Sequence, residues 1–215
     1  GVALMEAFMS RLPPLWLTLR ELIAAGRIGA PRAIQIVFAY FNDDPANIRN
    51  QGALGGGALY DIGCYAINLS RMIFDGEPTA VHAAVRGDER FGTDVLTSAV
   101  LDFDGRHATF VVSTQLEPAQ RVEVLGTEGR IVVDIPFNIP GDRPTRLHVI
   151  AGGTPPVAPN VDVVEVATAD PYAAQALAFT NAVRRGEPVP IPPRQAIGNL
   201  EVIEAILACR PLPQP

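Results

Sequence analysis

The sequence predicts an α+β fold: a large, mostly antiparallel open sheet with helices packed on one face. The order of the segments favours it, since a helix, a strand and a second helix precede a long run of strands, and two helices close the chain. Short β-branched runs separated by turn signals fill residues 78–168. Charged and apolar residues alternate in "RVEV" (121–124), which is typical of a sheet with one wet face.

The chain opens with an apolar run, "VALMEAF" (2–8), which we interpret as a buried strand at a domain junction formed by residues 1–10. A buried strand needs neighbours, so the chain reads as a fragment cut at that junction; the alternative is a complete protein that has been processed. Two prolines (13–14) then begin a helix with leucines at helical spacing, and Gly26 and Gly29 end it. "RAIQIVFAYF" (32–41) is a predicted strand.

Seven further strands and two helices are predicted after the helix that contains "DIGCY". The strands cover 79–86, 94–103, 106–115, 120–128, 129–136, 145–152 and 161–168, with a Pro/Gly-rich excursion at 152–160. The helices cover 170–188, capped by Asp170 with Pro171 at its first position, and 194–210. We expect one domain over residues 1–215.

Composition excludes several classes of function. The net charge of -6 argues against nucleic acid or an anionic membrane as the partner, because both attract clustered cations. No apolar run approaches the roughly 20 residues of a membrane span, and we expect no signal peptide. Cys64 and Cys209 lie far apart without CxxC spacing, which fits a reducing compartment, so we expect a cytoplasmic protein.

Several catalytic motifs are missing from the sequence. All 17 basic residues are arginine, which excludes a P-loop or Schiff-base lysine within this chain. There is no G-x-S-x-G or H-E-x-x-H motif. His82, His107 and His148 lie in different predicted strands, and we expect no metal site.

The three glycines in "GGGALYDIGCYAIN" (55–68) are not a dinucleotide fingerprint. A G-x-G-x-x-G loop needs a third glycine at a fixed spacing and a strand before it, and a polar loop precedes Gly55 instead. The glycines therefore predict a tight turn or a close backbone approach, and an open helix N-terminus for an anion is a further possibility.

The helix after these glycines is apolar on most sides, so we expect it to be buried. At 100° per residue, Asp61, Tyr65 and Asn68 form one polar stripe along it. Buried polar groups need partners, so the stripe either belongs to a structural hydrogen-bond network or faces a cavity. The pattern alone leaves both alternatives open.

Four segments resemble the C-terminal domain of the glucose–fructose oxidoreductase / inositol dehydrogenase / rhizopine-catabolism (Gfo/Idh/MocA) family. They are "EAFMSR", "NIRN", "GGGALYDIGCYAINL" and "GEPVPIPPRQAIGNLEVIEAI". The resemblance implies a fold like the C-terminal domain of glyceraldehyde-3-phosphate dehydrogenase, which follows a Rossmann domain that binds NAD or NADP. It also implies a sugar, polyol or diol substrate and a homodimer or tetramer formed through the open sheet face.

The resemblance also implies the site residues. Tyr65 matches the catalytic acid/base of the D-x-G-x-Y variant, and Asp61 matches the aspartate of that motif. Arg11, Asn47 and Arg49 match segments that contact substrate, and we expect Asn68, the third residue of the polar stripe, to bind substrate as well. An ionised Asp61 disfavours phenolate at Tyr65, so we assign Asp61 to orienting the substrate hydroxyl or the catalytic lysine. That lysine belongs to an E-K-P motif in the preceding domain, and we assign the activation of Tyr65 to it.

The chain departs from the family at "FMSRLPPL", where Ser10, Pro13 and Leu15 replace polar or aromatic residues that often face substrate. The alternative hypothesis is therefore a non-catalytic binding or assembly module that keeps the fold. In either case we expect no cofactor-binding residues in this chain, no cofactor bound to it alone and no dehydrogenase activity from it alone.

Overall fold

The computed structural model describes residues 1–153 and 160–209. Arg210, at the end of the last predicted helix, and most of the predicted excursion at 152–160 lie outside these residues. Within the described chain the α-helices are α1 (Pro14–Ala24), α2 (Cys64–Phe74), α3 (Pro171–Arg185) and α4 (Pro193–Ala208). The strands are β1 (Pro31–Phe41), β2 (Ala80–Asp88), β3 (Thr93–Phe103), β4 (Arg106–Ser113), β5 (Gln115–Gly126), β6 (Gly129–Val133), β7 (Thr145–Ala151) and β8 (Val161–Val166).

The eight described strands form one sheet in the order β2-β3-β4-β1-β5-β6-β7-β8. Neighbouring strands β2–β3, β3–β4, β6–β7 and β7–β8 run antiparallel. β1 pairs with β4 in parallel, with Gln35 opposite Thr109 and Val37 opposite Val111. The predicted α+β class with a mostly antiparallel open sheet is therefore confirmed. The strand predicted at 120–128 is longer, since β5 already begins at Gln115.

The chain divides into two compact units by its internal contacts. One comprises Gly1–Pro31 and Leu125–Gly198, and the other comprises Arg32–Val124 and the chain from Asn199 onward. The single substrate-binding domain predicted over residues 1–215 stays a prediction.

In the unit that contains β1, apolar side chains alternate along the strand. Ile34, Ile36 and Phe38 are buried, while Gln35 and Val37 face outward and are exposed. α2 packs against β4. Burial on one side and exposure on the other agree with the open sheet face that the sequence predicts.

In the other unit, α1 packs against β7 and β8, and the fully buried Trp16 ring lies 6.5 Å from that of Phe137. α3 begins as predicted, because the Asp170 carboxylate accepts hydrogen bonds from the Tyr172 and Ala173 amides at 2.8 and 3.2 Å. Such a cap satisfies two of the amides that a helix N-terminus leaves unpaired.

The strand predicted at residues 2–8 is wrong. Residues 1–8 form neither helix nor strand, and a 3-10 turn follows at Met9–Arg11. Val2 and Leu4 are 95% and 65% exposed. An apolar run becomes a strand only where another strand pairs with its backbone, and within the described chain none pairs with this segment.

None of the helices in the described part of the chain combines the length and the apolar character that crossing a bilayer requires.

Candidate active site

The loop between β1 and the "DIGCY" helix is shaped by two asparagines. The Asn47 side chain accepts a hydrogen bond from the Arg49 amide at 3.0 Å and so caps a 3-10 turn at Ile48–Asn50. Asn50 is 3% exposed, and its Nδ2 donates to the Asn42 and Asp44 carbonyl oxygens at 3.3 and 2.9 Å. These bonds link Asn50 back to the start of the loop and so fix the backbone that carries Arg49.

The glycine triplet provides close backbone approach, which confirms the packing interpretation. A Cβ on Gly56 would lie 2.5 Å from the Arg49 carbonyl oxygen. Gly57 has φ +127°, and a Cβ there would lie 2.1 Å from Asp94 Oδ1. A side chain at either position would separate the loop from the structure beneath it.

The N-terminal end of the helix is occupied by a carboxylate of the chain itself. Asp94, 8% exposed on β3, accepts a hydrogen bond from the Leu59 amide at 2.9 Å and one from the Thr97 hydroxyl at 3.3 Å. Burial raises the pKa of this carboxyl group above its usual range. The open anion site that the glycines left possible is thus filled by Asp94.

The helix opens with one π-helical turn at Leu59–Gly63 before α2 begins. The Cys64 amide closes this turn on the Leu59 carbonyl oxygen, five residues back. A π turn changes the angle between residues on its two sides, and such turns are frequent at functional sites. A uniform 100° per residue therefore misplaces Asp61 relative to Tyr65 and Asn68.

Asp61 is held by two side chains from other elements. Its Oδ2 accepts a hydrogen bond from the Tyr40 hydroxyl at 2.5 Å, and its Oδ1 accepts one from Arg49 Nε at 2.7 Å. Burial raises the pKa of Tyr40, and the hydrogen bond to Asp61 raises it further. The Asp61 carboxylate likewise raises the pKa of Arg49. Both oxygens of Asp61 are therefore engaged within the chain.

Arg49 also interacts with Tyr65. The Arg49 side chain is 45% exposed, and a charge on Tyr65 contributes to its raised pKa. Tyr65 is partly buried and packs edge-on against Phe38, with ring centroids 5.9 Å apart and an interplanar angle of 77°. The structure thus places a permanent cation within electrostatic range of the Tyr65 phenol.

The predicted site residues divide into three groups. Asn47, Arg49, Asp61 and Tyr65 form one cluster, through the loop cap, the Arg49–Asp61 ion pair and the electrostatic coupling. Asn68 is 1% exposed, and its Nδ2 has no hydrogen-bond partner in the described chain. Arg11 belongs to the other unit, where its Nη1 donates to Gln195 Oε1 at 3.2 Å.

The sequence reasoning missed Tyr40, Asn50 and Asp94. Tyr40 could have been noticed as a polar-tipped aromatic residue near the end of a predicted strand, just before the loop that carries Arg49. The roles of Asn50 and Asp94 depend on contacts with residues outside any short sequence motif, so no local pattern predicts them.

No three side chains able to ligate a metal converge within the described residues. His107 Nε2 lies 3.9 Å from Asp102 Oδ1, and His148 Nε2 lies 3.2 Å from Asp134 Oδ2. These histidines belong to separate strands, and each is near a carboxylate of its own surroundings.

Comparison with known proteins agrees with this architecture. The GFO/IDH/MocA C-terminal domain family matches residues 16–132, more than half of the chain. An uncharacterized oxidoreductase of Rhizobium meliloti, ORF334, is 44% identical over 207 residues, which are 96% of this chain and 62% of that protein. The D-xylose 1-dehydrogenase (NADP(+)) 2 of Haloferax volcanii is 32% identical over 211 residues, with the same two coverages.

Solved structures share the fold. The aldose-aldose oxidoreductase of Caulobacter crescentus, complexed with glycerol, superimposes with a TM-score of 0.85 at 27% identity over 97% of this chain and 62% of its own. KijD10, a 3-ketoreductase of Actinomadura kijaniata, gives 0.87 at 23% identity over 100% of this chain and 65% of its own. The chain thus spans less than two thirds of each of these relatives, and it belongs to the GFO/IDH/MocA family as a C-terminal domain.

Proposed function

We propose that this chain is the substrate-binding and oligomerisation domain of an NAD(P)-dependent oxidoreductase that acts on a sugar, polyol or diol. The Arg49–Asp61–Tyr65 cluster carries the proposal, since Asp61 holds the Arg49 guanidinium at 2.7 Å and a charge on Tyr65 interacts electrostatically with that guanidinium. The names of relatives support the class of substrate: a D-xylose 1-dehydrogenase that uses NADP, trans-1,2-dihydrobenzene-1,2-diol dehydrogenases and dTDP-sugar reductases.

The described residues of this chain do not fit a dinucleotide. Gly56 and Gly57 pack against the Arg49 backbone and Asp94, so these two glycines do not form a cradle for a pyrophosphate. Asp94 also occupies the Leu59 amide that would otherwise meet an anion. The nicotinamide, which exchanges a hydride with the substrate carbon, would therefore be held by another domain.

Tyr65 is the residue that exchanges a proton with the substrate oxygen. An ordinary tyrosine has a pKa of about 10, so only ~0.1% is phenolate near neutral pH. Electrostatic coupling is mutual. Because a charge on Tyr65 raises the pKa of Arg49, the Arg49 guanidinium in turn stabilises the phenolate form of Tyr65. Arg49 is thus a cation within this chain that helps to activate Tyr65. The lysine of the preceding domain, to which we assigned this activation from the family resemblance, would be a second cation.

Asp61 acts by fixing Arg49. With Tyr40 on one oxygen and Arg49 Nε on the other, the carboxylate holds the guanidinium in one place. Arg49 makes no side-chain hydrogen bond through its two terminal NH2 groups to any described residue, so these groups remain available to substrate oxygens. Asn47 orders the turn that carries Arg49.

The outer face of the sheet is the proposed surface for self-association. Gln35 and Val37 of β1, Ser98 and Val100 of β3, and Thr109 and Val111 of β4 line a shallow depression of about 590 Å³. These six side chains lie on neighbouring strands and carry no charge, so the face they form suits contact with the same face of a second copy.

The test is turnover by the longer protein that joins this chain to a nicotinamide-binding domain. With xylose, glycerol or a trans-diol and NADP or NAD, we expect formation of reduced nicotinamide by the joined protein and none by this chain alone. Turnover by this chain alone would overturn the division of the site. No turnover by the joined protein with any member of these classes would favour the non-catalytic module.

A further inference from the structure

The helix that carries Tyr65, α2, also carries a buried arginine. Arg71 of α2 is 5% exposed, and its Nε and Nη2 donate to the two carboxylate oxygens of Glu77, each at 2.6 Å. The hydrogen bond from Arg71 lowers the pKa of Glu77. A bidentate pair of this kind fixes the plane of the guanidinium as well as its position.

The third nitrogen of this guanidinium reaches α4. Arg71 Nη1 donates to Asn199 Oδ1 at 3.1 Å, and Asn199 is 3% exposed. Asn199 Nδ2 in turn donates to the backbone carbonyl oxygen of Cys64 at 3.0 Å. Arg71 therefore orients the Asn199 amide through its oxygen, and the nitrogen of the same amide binds the backbone of α2 at Cys64.

Cys64 has a special place in that helix. It is the residue whose amide closes the π turn, and it directly precedes Tyr65. Changing a π turn to an α turn shifts the hydrogen-bond partner by one residue, which rotates everything beyond it by roughly 100°. A side chain that binds the Cys64 carbonyl holds the helix in one of these two registers.

We propose that Asn199 is a positioning residue for Tyr65: through the Cys64 carbonyl it fixes the helix register that sets the direction in which the Tyr65 phenol points. The proposal rests on the proposed function of that phenol. Arg71 orients the Asn199 amide, and Glu77 orients Arg71. The motif residue Tyr65 is thus positioned by a residue that lies 135 positions beyond Cys64 in the sequence.

The test is the titration of Tyr65 in this chain, read residue by residue by NMR of isotope-labelled tyrosine, with Tyr65→Phe used to assign the signal. Asn199→Leu keeps a similar volume and removes the donor to Cys64. We expect the titration midpoint of Tyr65 to rise by about one pH unit, a tenfold loss of phenolate, because the phenol leaves the field of Arg49.

Arg71→Met is the matched control. It removes the partly buried ion pair and the hydrogen bond that orients the Asn199 amide, yet it leaves the Asn199 donor within reach of the Cys64 carbonyl. We therefore expect the Tyr65 midpoint to rise by only a few tenths of a unit, clearly less than in Asn199→Leu. If Asn199→Leu does not fold, Asn199→Ser replaces it; if Arg71→Met does not fold, Glu77→Gln replaces it.

An unchanged midpoint in the Asn199 variant, or an equal shift in the Arg71 variant, would overturn the positioning role and leave a structural one. The titration uses neither cofactor nor substrate. Its failure is therefore distinct from failure of the proposed function, which is read from turnover by the joined protein.

Discussion

The Tyr40 hydroxyl donates a hydrogen bond to Oδ2 of Asp61 across 2.5 Å, while the opposite oxygen of the same carboxylate binds Arg49. Tyr40 comes from β1, Arg49 from the following loop and Asp61 from the π turn. One carboxylate therefore joins three elements at the place where the proposed chemistry occurs, and its partners determine where the Arg49 cation lies.

Tyr40→Phe removes the hydroxyl donor but keeps the ring. We expect a loss of roughly 1–2 kcal/mol in the free energy of unfolding, measured by urea denaturation, since a hydrogen bond to a charged group is lost at a partly exposed place. Tyr60→Phe, on an exposed ring of the same helix, is the control and should change stability by less than about 0.5 kcal/mol. Equal losses in the two variants would contradict the role given to Tyr40.

The pH dependence of the Tyr40 contribution has a defined sign. Its pKa is raised above the ordinary value of 10.0, so above that pH the unfolded chain has released a proton that the folded chain keeps. The stabilisation is therefore complete below about pH 10 and declines at higher pH. Tyr40→Phe should show a shallower alkaline decline than wild type in the same denaturation series, and identical slopes would argue against this assignment.

Gly57→Ala tests the packing role of the glycine triplet. Gly57 combines φ +127° with a Cβ position 2.1 Å from Asp94 Oδ1, so we expect a loss of roughly 3 kcal/mol or more. Gly55→Ala is the matched control, since Gly55 has φ +75° but nothing within 4 Å of its Cβ position; it should cost about 1–2 kcal/mol. A larger loss for Gly55→Ala would show that backbone conformation, and not close approach, determines the need for glycine.

Asp94→Asn tests the buried cap. Because burial raises the pKa of the Asp94 carboxyl above 3.8, the folded chain keeps a proton that the unfolded chain loses as pH rises past that value. Its contribution to stability is therefore largest below about pH 3.8 and falls as the pH rises through the folded-state pKa. Removing the titrating group should flatten this part of the stability profile, measured by thermal unfolding at a series of pH values.

The control for that experiment is Asp104→Asn, in the exposed turn between β3 and β4, which should leave the profile unchanged. If Asp94→Asn keeps the full wild-type slope, another carboxyl group is responsible for it.

Val37→Arg tests self-association through the outer sheet face. Val37 lies opposite Val111 and is 37% exposed, so a guanidinium there would be buried without a partner in a symmetric interface. We expect wild type to sediment as a dimer or tetramer and the variant to sediment as a monomer. Leu177→Arg, at an exposed apolar position of α3, should keep the wild-type mass. A monomeric wild type would reject the proposed interface.

Local chemistry made parts of the fold predictable from sequence. The helix cap at Asp170 and the alternation of buried and exposed side chains along β1 each depend on a few neighbouring residues, so both could be predicted from the sequence. The run at 2–8 misled because an apolar pattern does not say whether a partner strand exists.

The site was predictable only as a set of residue types. Asp61 and Tyr65 were found from the motif. The ion pair of Asp61 with Arg49, however, depends on how the loop folds over the twelve positions between them, and the hydrogen bond from Tyr40 depends on where β1 lies beside the helix. The π turn was missed because hydrophobic periodicity assumes a regular helix, which also explains why Asn68 is more deeply buried than a cleft-facing stripe requires.

The proton-transfer role of Tyr65 is tested by the turnover of Tyr65→Phe in the longer protein that joins this chain to a nicotinamide-binding domain, with Tyr60→Phe as the control. We expect Tyr65→Phe to lower kcat by about 10²–10⁴-fold with little change in substrate KM, because proton transfer is lost while binding groups remain. Tyr60→Phe should keep wild-type kcat. A Tyr65→Phe enzyme that turns over at the wild-type rate would contradict the assignment of Tyr65 as the residue that exchanges the proton.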